Sequence, residues 1–242
     1  GVEPVVMNST MADHYQPTLA MLQALPQKPD GLVIASPSNP TGTMISPEEL
    51  QRIAAYCEQE GIRIISDEIY HGVTYGERRA ASILEFSQQM IVTNSFSKYY
   101  LLPGWRLGWM VVPDALCRSV ESLLQNFFIS PPTIAQYAAL KVMDCRSQLD
   151  AVVRGYRTNR DVLLAGLTQA GIERVAPAEG AFYLYADISH ISDDSKAFAS
   201  KLLEETGICV IPGLDFDKQK GHRFIRLSYS GSESTIRMAC ER

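Results

Sequence analysis

The sequence is short of what metal, disulfide or membrane chemistry would need. Its five cysteines, at 57, 117, 145, 209 and 240, are scattered, odd in number and never spaced C-x-x-C. That excludes a disulfide framework or a cysteine zinc site, and predicts reduced thiols in a reducing, cytoplasmic compartment. The four histidines, at 14, 71, 190 and 222, show no ligand spacing either, so no metal is expected. No apolar run reaches transmembrane length and no signal peptide is recognised, so no membrane partner is expected. Cations are in deficit: 22 Lys and Arg against 27 Asp and Glu give a formal charge of −5. Such a balance argues against nucleic acid or an acidic membrane as the main partner. No G-x-x-x-x-G-K-[ST] loop occurs. Ser95-Phe96-Ser97-Lys98 does satisfy S-x-x-K. However, K-T-G is missing and the nearest S-D-N analogue, Ser66-Asp67-Glu68, precedes it in the chain, which excludes the penicillin-recognising acyl enzymes.

What is present reads as an ordinary α/β protein, with 46% hydrophobic and 20% charged residues in 242. Gly31–Ala35 is a continuous apolar run bounded by turn residues, the pattern of a strand buried on both faces. Ser46-Pro47-Glu48-Glu49 then starts a helix that the pattern carries to Gly61. Strands are expected at Ile62–Ile65, Met90–Thr93 and Leu107–Val112, and helices at Asp114–Phe128, Pro132–Asp144 and Ser147–Ala170. The alternation predicts a mainly parallel, doubly wound sheet over residues 1–150. After Gly171 the strands shorten (Phe182–Ala186, Cys209–Ile211, Phe224–Ser228) around one helix, Asp194–Thr206, which predicts a smaller α/β domain over 151–242.

In such sheets ligands collect beyond the C-terminal ends of the strands. Asn39, Asp67 and the Ser95–Lys98 segment all sit just past an apolar run. Ser95, Ser97, Lys98 and Arg106 are near enough in sequence to share one anion, though the same four could make a solvated polar loop. Lys98 at a buried strand end beside an arginine would have its ammonium form disfavoured, as an amine nucleophile requires. Its plain alternative is a lysine facing water. Asp67 and Asn39 read equally well as turn or cap residues. Arg226 interrupts the apolar strand Phe224-Ile225-Arg226-Leu227-Ser228, where a guanidinium must be paired or bind an anion. A bidentate carboxylate and a structural ion pair with an aspartate both meet that need.

Taken together, Asn39-Pro40-Thr41-Gly42, Ser66-Asp67-Glu68-Ile69-Tyr70, Ser95-Phe96-Ser97-Lys98, Pro103-Gly104-Trp105-Arg106-Leu107-Gly108 and the Arg226 strand occur in order at sensible distances. In that combination the chain resembles the class I/II (fold type I) pyridoxal-phosphate-dependent aminotransferases over nearly its whole length. The resemblance implies pyridoxal 5'-phosphate as cofactor, amino acids and 2-oxo acids as substrates, and a homodimer in the full-length protein. Lys98 would form the Schiff base with the cofactor and then act as the base at the substrate Cα. Asp67 would pair with the pyridinium nitrogen, while Tyr70 and Asn39 would hydrogen-bond the ring's phenolic oxygen. Ser95, Ser97 and Arg106 would hold the phosphate; Arg226, with Asn39, would bind the substrate carboxylate.

A β-lyase with the same cofactor machinery, and the ligand-sensing domain of a transcription regulator, share these features and stay open as alternatives. The family's N-terminal portion, with a phosphate-binding glycine turn, a ring-stacking aromatic and a tyrosine for the partner subunit, has no counterpart in the sequence. The chain starts at Gly1 without methionine and stops inside a helical segment, Glu233–Arg242. The expectation is therefore a piece of such an enzyme, with both domains partial, that binds the cofactor poorly on its own.

Overall fold

The computed structural model describes residues 1–242 in two units, Gly1–Pro37 with Met44–Asp150 and Ser38–Thr43 with Ala151–Arg242. In chain order the first unit holds α1 (Leu19–Gln23), β1 (Gly31–Ala35), α2 (Pro47–Glu60), β2 (Arg63–Asp67), β3 (Ile91–Ser95) and β4 (Gly108–Val111). It continues with α3 (Asp114–Phe127), α4 (Thr133–Val142) and the first residues of α5 (Arg146–Gln169).

Helix α2 forms where its caps dictate. Ser46 Oγ accepts from the Glu49 amide at 3.1 Å, Pro47 takes the first position, and Gly61 ends the helix in the left-handed region at φ +70°. The Glu49 carboxylate accepts from the Leu19 amide at 2.6 Å, tying α1 to α2. Leu50, Ile53, Ala54 and Cys57, spaced as one helical face, pack in a core with Leu32, Ile34, Ile64 and Val92. Burial pushes the Cys57 thiol up to about 11, so it packs as an apolar group and not as a nucleophile.

The sheet order is β1-β2-β3-β4, with β1, β2 and β3 parallel. Strand β4 runs antiparallel to β3, Ser95 opposite Gly108, because only the short Phe96–Leu107 excursion joins them and it brings the chain straight back. Glycine is required at 108, since a Cβ there would lie 2.8 Å from the Asn94 carbonyl oxygen. Gly31–Ala35 departs from the expectation of burial on both faces. Its pattern alternates: Leu32 and Ile34 enter the core, while Val33 is 73% exposed on the other face.

In the second unit α5 continues from Ala151, followed by β5 (Tyr183–Asp187), α6 (Ser195–Thr206), β6 (Ile211–Pro212), β7 (Phe224–Ser228) and α7 (Glu233–Glu241). The three strands form an antiparallel sheet in the order β5-β7-β6. Asp194 caps α6 by accepting from the Lys196 and Ala197 amides, and buried Asn159 of α5 donates to the Tyr229 and Gly231 carbonyls. Ser38–Thr43, which the sequence assigned to the first domain, belongs with this unit. The Gly42 carbonyl accepts from the Glu179 and Gly180 amides at 2.9 and 2.8 Å. Gly42 has φ +71° and a Cβ there would lie 2.9 Å from the Tyr183 carbonyl oxygen, so the docking needs glycine. No helix is long and apolar enough to cross a membrane.

Candidate active site

Asp67 is the last residue of β2, paired with Ala35 at the end of β1 and with Thr93 of β3, so it stands where β1 and β2 end. Its Oδ1 accepts from the Ile69 amide at 3.1 Å, which fixes the carboxylate and leaves Oδ2 without a hydrogen bond to the protein. Tyr70, 3% exposed, follows in the turn after β2, and Lys98 Nζ lies 5.6 Å from the centroid of its ring.

Around Lys98 the backbone is tightly determined. Ser95 closes β3; its Oγ donates to Ser97 Oγ at 2.9 Å and accepts from the Ser97 amide at 3.0 Å. The turn is pinned by Phe96 N–H to Leu107 O, Leu101 N–H to Lys98 O and Leu102 N–H to Phe96 O. Phe96 anchors it in an aromatic cluster, its ring centroid 4.9 Å from that of Tyr100 and 5.0 Å from that of Trp109. Tyr99 donates to Asp150 at 2.6 Å, and its phenol is pushed up to about 12, first by burial and then by that carboxylate. Gly72, at φ +88°, lies against the Tyr99 ring: a Cβ there would come within 2.6 Å of it. Arg106, exposed, holds a left-handed conformation (φ +51°), and its guanidinium donates to the Pro103 carbonyl at 2.9 Å. A non-glycine residue kept in that region costs of order 1 kcal/mol or more, a strain that clusters at ligand-binding loops.

The second unit carries Asn39 and Arg226. Arg226, on β7 opposite Tyr185 of β5, has its guanidinium carbon 4.3 Å from the Tyr183 ring centroid and 4.7 Å from that of Phe216. One terminal nitrogen donates to Asn39 Oδ1 at 2.7 Å; a guanidinium only donates, so the amide oxygen must face it. Its Nε is buried with no hydrogen-bond partner. Of the two sequence readings of Arg226, the carboxylate partner of a structural ion pair is not what the side chain meets: its neighbours are an amide oxygen and two ring faces. A buried N–H left unmatched costs about 1–3 kcal/mol, which points to a ligand acceptor.

The first unit thus places Asp67 and Tyr70 at the exit of β2 and Ser95, Ser97 and Lys98 at the exit of β3, with Arg106 just before β4, and the second joins Asn39 to Arg226. This donor set suits pyridoxal phosphate: hydroxyls and a guanidinium for a phosphate, a lysine for its aldehyde, and a carboxylate with one oxygen unused for a protonated ring nitrogen. Sequence reasoning missed Tyr183 and Phe216 beside Arg226, for which no local signal exists.

The sequence model of the family described as aminotransferase class I and II matches residues 1–242. A valine–pyruvate aminotransferase of Mycobacterium tuberculosis is 44% identical, the match covering 100% of this chain and 63% of that protein. An aspartate/prephenate aminotransferase of Thermus thermophilus is 34% identical, over 91% of this chain and 57% of its own length. Among solved structures, an aminotransferase from Mycobacterium tuberculosis superposes with a TM-score of 0.92 at 45% identity, covering 94% of this chain and 60% of the other. A putative aminotransferase from Silicibacter pomeroyi also gives 0.92, at 42% identity, covering 98% of this chain and 64% of that one. The chain spans about three fifths of the length of the curated relatives it matches, 63% and 57% for these two. Members of this family depend on pyridoxal phosphate. The chain belongs to the class I and II aminotransferases.

Proposed function

We propose that the natural full-length protein is a pyridoxal-phosphate-dependent aminotransferase that moves an α-amino group between an amino acid and a 2-oxo acid. The observation that carries this reading is the set at the exits of β2 and β3: a lysine, a carboxylate with one unused oxygen, a buried tyrosine and two linked serine hydroxyls. When bound, the cofactor supplies an electron sink that lets the substrate Cα proton leave. Asp67, through Oδ2, would hold the proton on the pyridine nitrogen, and the Tyr70 hydroxyl would bind the ring's phenolic oxygen. Ser95, Ser97 and Arg106 would bind the phosphate. Lys98 Nζ would hold the cofactor and would be the base for the substrate Cα proton. In the second unit, Arg226 binds the α-carboxylate through its unmatched Nε and a terminal nitrogen, with Asn39 and the Tyr183 and Phe216 rings fixing the guanidinium plane.

Valine and pyruvate are the first substrates to try, from the name of the 44% identical relative. Homodimerisation and a cytoplasmic setting belong to the same reading. The five free thiols support the latter, and the exposed apolar residues Phe127, Ile134, Tyr137 and Leu140 of α3 and α4 support the former. The test mixes the full-length protein with pyridoxal phosphate, a panel of amino donors and pyruvate, and follows alanine formation. Alanine rising with consumption of a donor is expected. Release of ammonia and a 2-oxo acid without an acceptor would assign lyase chemistry instead.

A further inference from the structure

Between Asp67 and Tyr70 in the chain stands a residue with no part in the site described above. Glu68 is 3% exposed. Its Oε1 accepts from Ser66 Oγ at 3.1 Å, from Ser82 Oγ at 3.1 Å and from the Ile83 amide at 2.9 Å. Its Oε2 faces His71 Nδ1 at 3.4 Å. On the far side of the ring, His71 Nε2 lies 3.1 Å from the Ser36 carbonyl oxygen; a carbonyl only accepts, so Nε2 carries the proton. Ser36 is the first residue after β1, and it is tied in turn: its amide donates to the Asp67 carbonyl at 3.3 Å, and its Oγ accepts from the Ile45 amide at 3.0 Å. The Glu68 amide reaches sideways to the Thr93 carbonyl of β3 at 2.9 Å.

A buried carboxylate and imidazole are a poor choice for stability alone, because apolar side chains of the same volume fill such space without a desolvation cost. What these two side chains do that apolar packing cannot is to fix the turn after β2 with direction, His71 to the Ser36 carbonyl and Glu68 to Ser66, Ser82 and the Ile83 amide. We propose that Glu68 and His71 are positioning residues of one turn: His71 Nε2–H clamps the turn after β2 to the Ser36 carbonyl beyond β1, Glu68 Oε1 fixes the same turn to Ser82 and the Ile83 amide, and together they set the directions of Asp67 and Tyr70. The mechanical path is short. His71 follows Tyr70 directly, and its amide donates to the Glu68 carbonyl at 2.9 Å, closing the turn whose first link is Asp67 Oδ1 to the Ile69 amide. The consequence for chemistry rests on the aminotransferase reading; the clamp itself does not.

The test compares His71→Phe, His71→Gln and Glu68→Gln in the natural full-length protein. Gln at 71 keeps a donor near the place of Nε2, Phe keeps only the ring shape, and Gln at 68 keeps an oxygen for Ser82 and Ile83 but no carboxylate for His71. Amide exchange at Ile69, measured without cofactor, reports whether Asp67 Oδ1 still holds that N–H; titration with pyridoxal phosphate reports the consequence for binding. His71→Phe should speed exchange at Ile69 by about threefold to tenfold, as for loss of one hydrogen bond, and weaken pyridoxal phosphate binding by a similar factor. His71→Gln should restore both. Unchanged exchange in His71→Phe, or no rescue by His71→Gln, would overturn the proposal. Should His71→Phe not fold, the ¹⁵N shifts of the His71 ring decide. A protonated Nε2 in the natural protein, with an Nδ1 signal that moves in Glu68→Gln, upholds the pair; a bare Nε2 sinks it. If the natural protein binds no pyridoxal phosphate, the aminotransferase reading fails while the exchange result still judges the clamp.

Discussion

The candidate groups of the first unit are held by their own neighbours in the chain, whereas Arg226 in the second is held by side chains from far along it. Asp67 is fixed by the amide two residues on, Ser95 and Ser97 fix each other, and Arg106 folds back on Pro103. Arg226 instead depends on Asn39, 187 residues away, and on the rings of Tyr183 and Phe216. A set held by its near neighbours keeps its shape when one of its own members is changed, because the backbone hydrogen bonds that define the turn survive. A side-chain cage does not, since each member is oriented by the others. The two regions should therefore answer mutation differently.

The largest expected effect is on the first. Lys98→Ala leaves the turn's backbone hydrogen bonds in place, so the melting temperature should stay near that of the natural protein. Transamination should fall by on the order of 10²- to 10⁴-fold or more, the usual contribution of a positioned acid or base. Retained turnover in that variant would remove Lys98 from the mechanism. Next comes the cage. Arg226→Lys keeps the charge but loses the planar fork and its place between two rings. Amino-acid affinity should drop by roughly ten- to a hundredfold, about 1.5–3 kcal/mol for a charge-assisted hydrogen bond, in Arg226→Ala and Arg226→Lys alike. Full rescue by lysine would mean that Arg226 acts only as a point charge. The comparison would then rest on charge, not on shape.

The same contrast explains what was legible in the sequence. The exits of β2 and β3 were legible because their residues lie within a few positions of an apolar run, and a strand end is a local signal. So was α2, whose cap residues act on amides three positions away. Arg226 was legible only as a charge in an apolar strand; its ring partners sit on β5 and in the turn after β6, and pairing of strands leaves no mark at that distance. Strand direction was equally hidden. Leu107–Val112 reads as one more strand, and only the register of Ser95 with Gly108 makes β4 antiparallel. Exposure of Val33 could not be read either, because an apolar run does not record whether its second face is covered. Ser38–Thr43 looked like a loop of the first unit, since the fit of Gly42 against Tyr183 and Gly180 is a matter of space and not of composition.

The smallest expected effect separates the clamp after β2 from the rest of its unit. Burial lowers the His71 pKa below the ordinary imidazole value of 6.5, while Glu68, the Ser36 carbonyl, Glu85 and Asp67 each pull the other way without prevailing. The unfolded chain therefore binds a proton at 71 before the folded chain does. His71 contributes stability that is present above about pH 6.5 and is lost as the pH falls toward its lowered folded value. The slope for one proton is at most about 1.4 kcal/mol per pH unit. His71→Gln has no such titration, so the difference in unfolding free energy between it and the natural protein should change across that window and be flat above it. Denaturant unfolding at several pH values between 5 and 8 reads this directly. A difference independent of pH would show that His71 does not titrate differently on folding, and that burial of the ring carries no charge penalty.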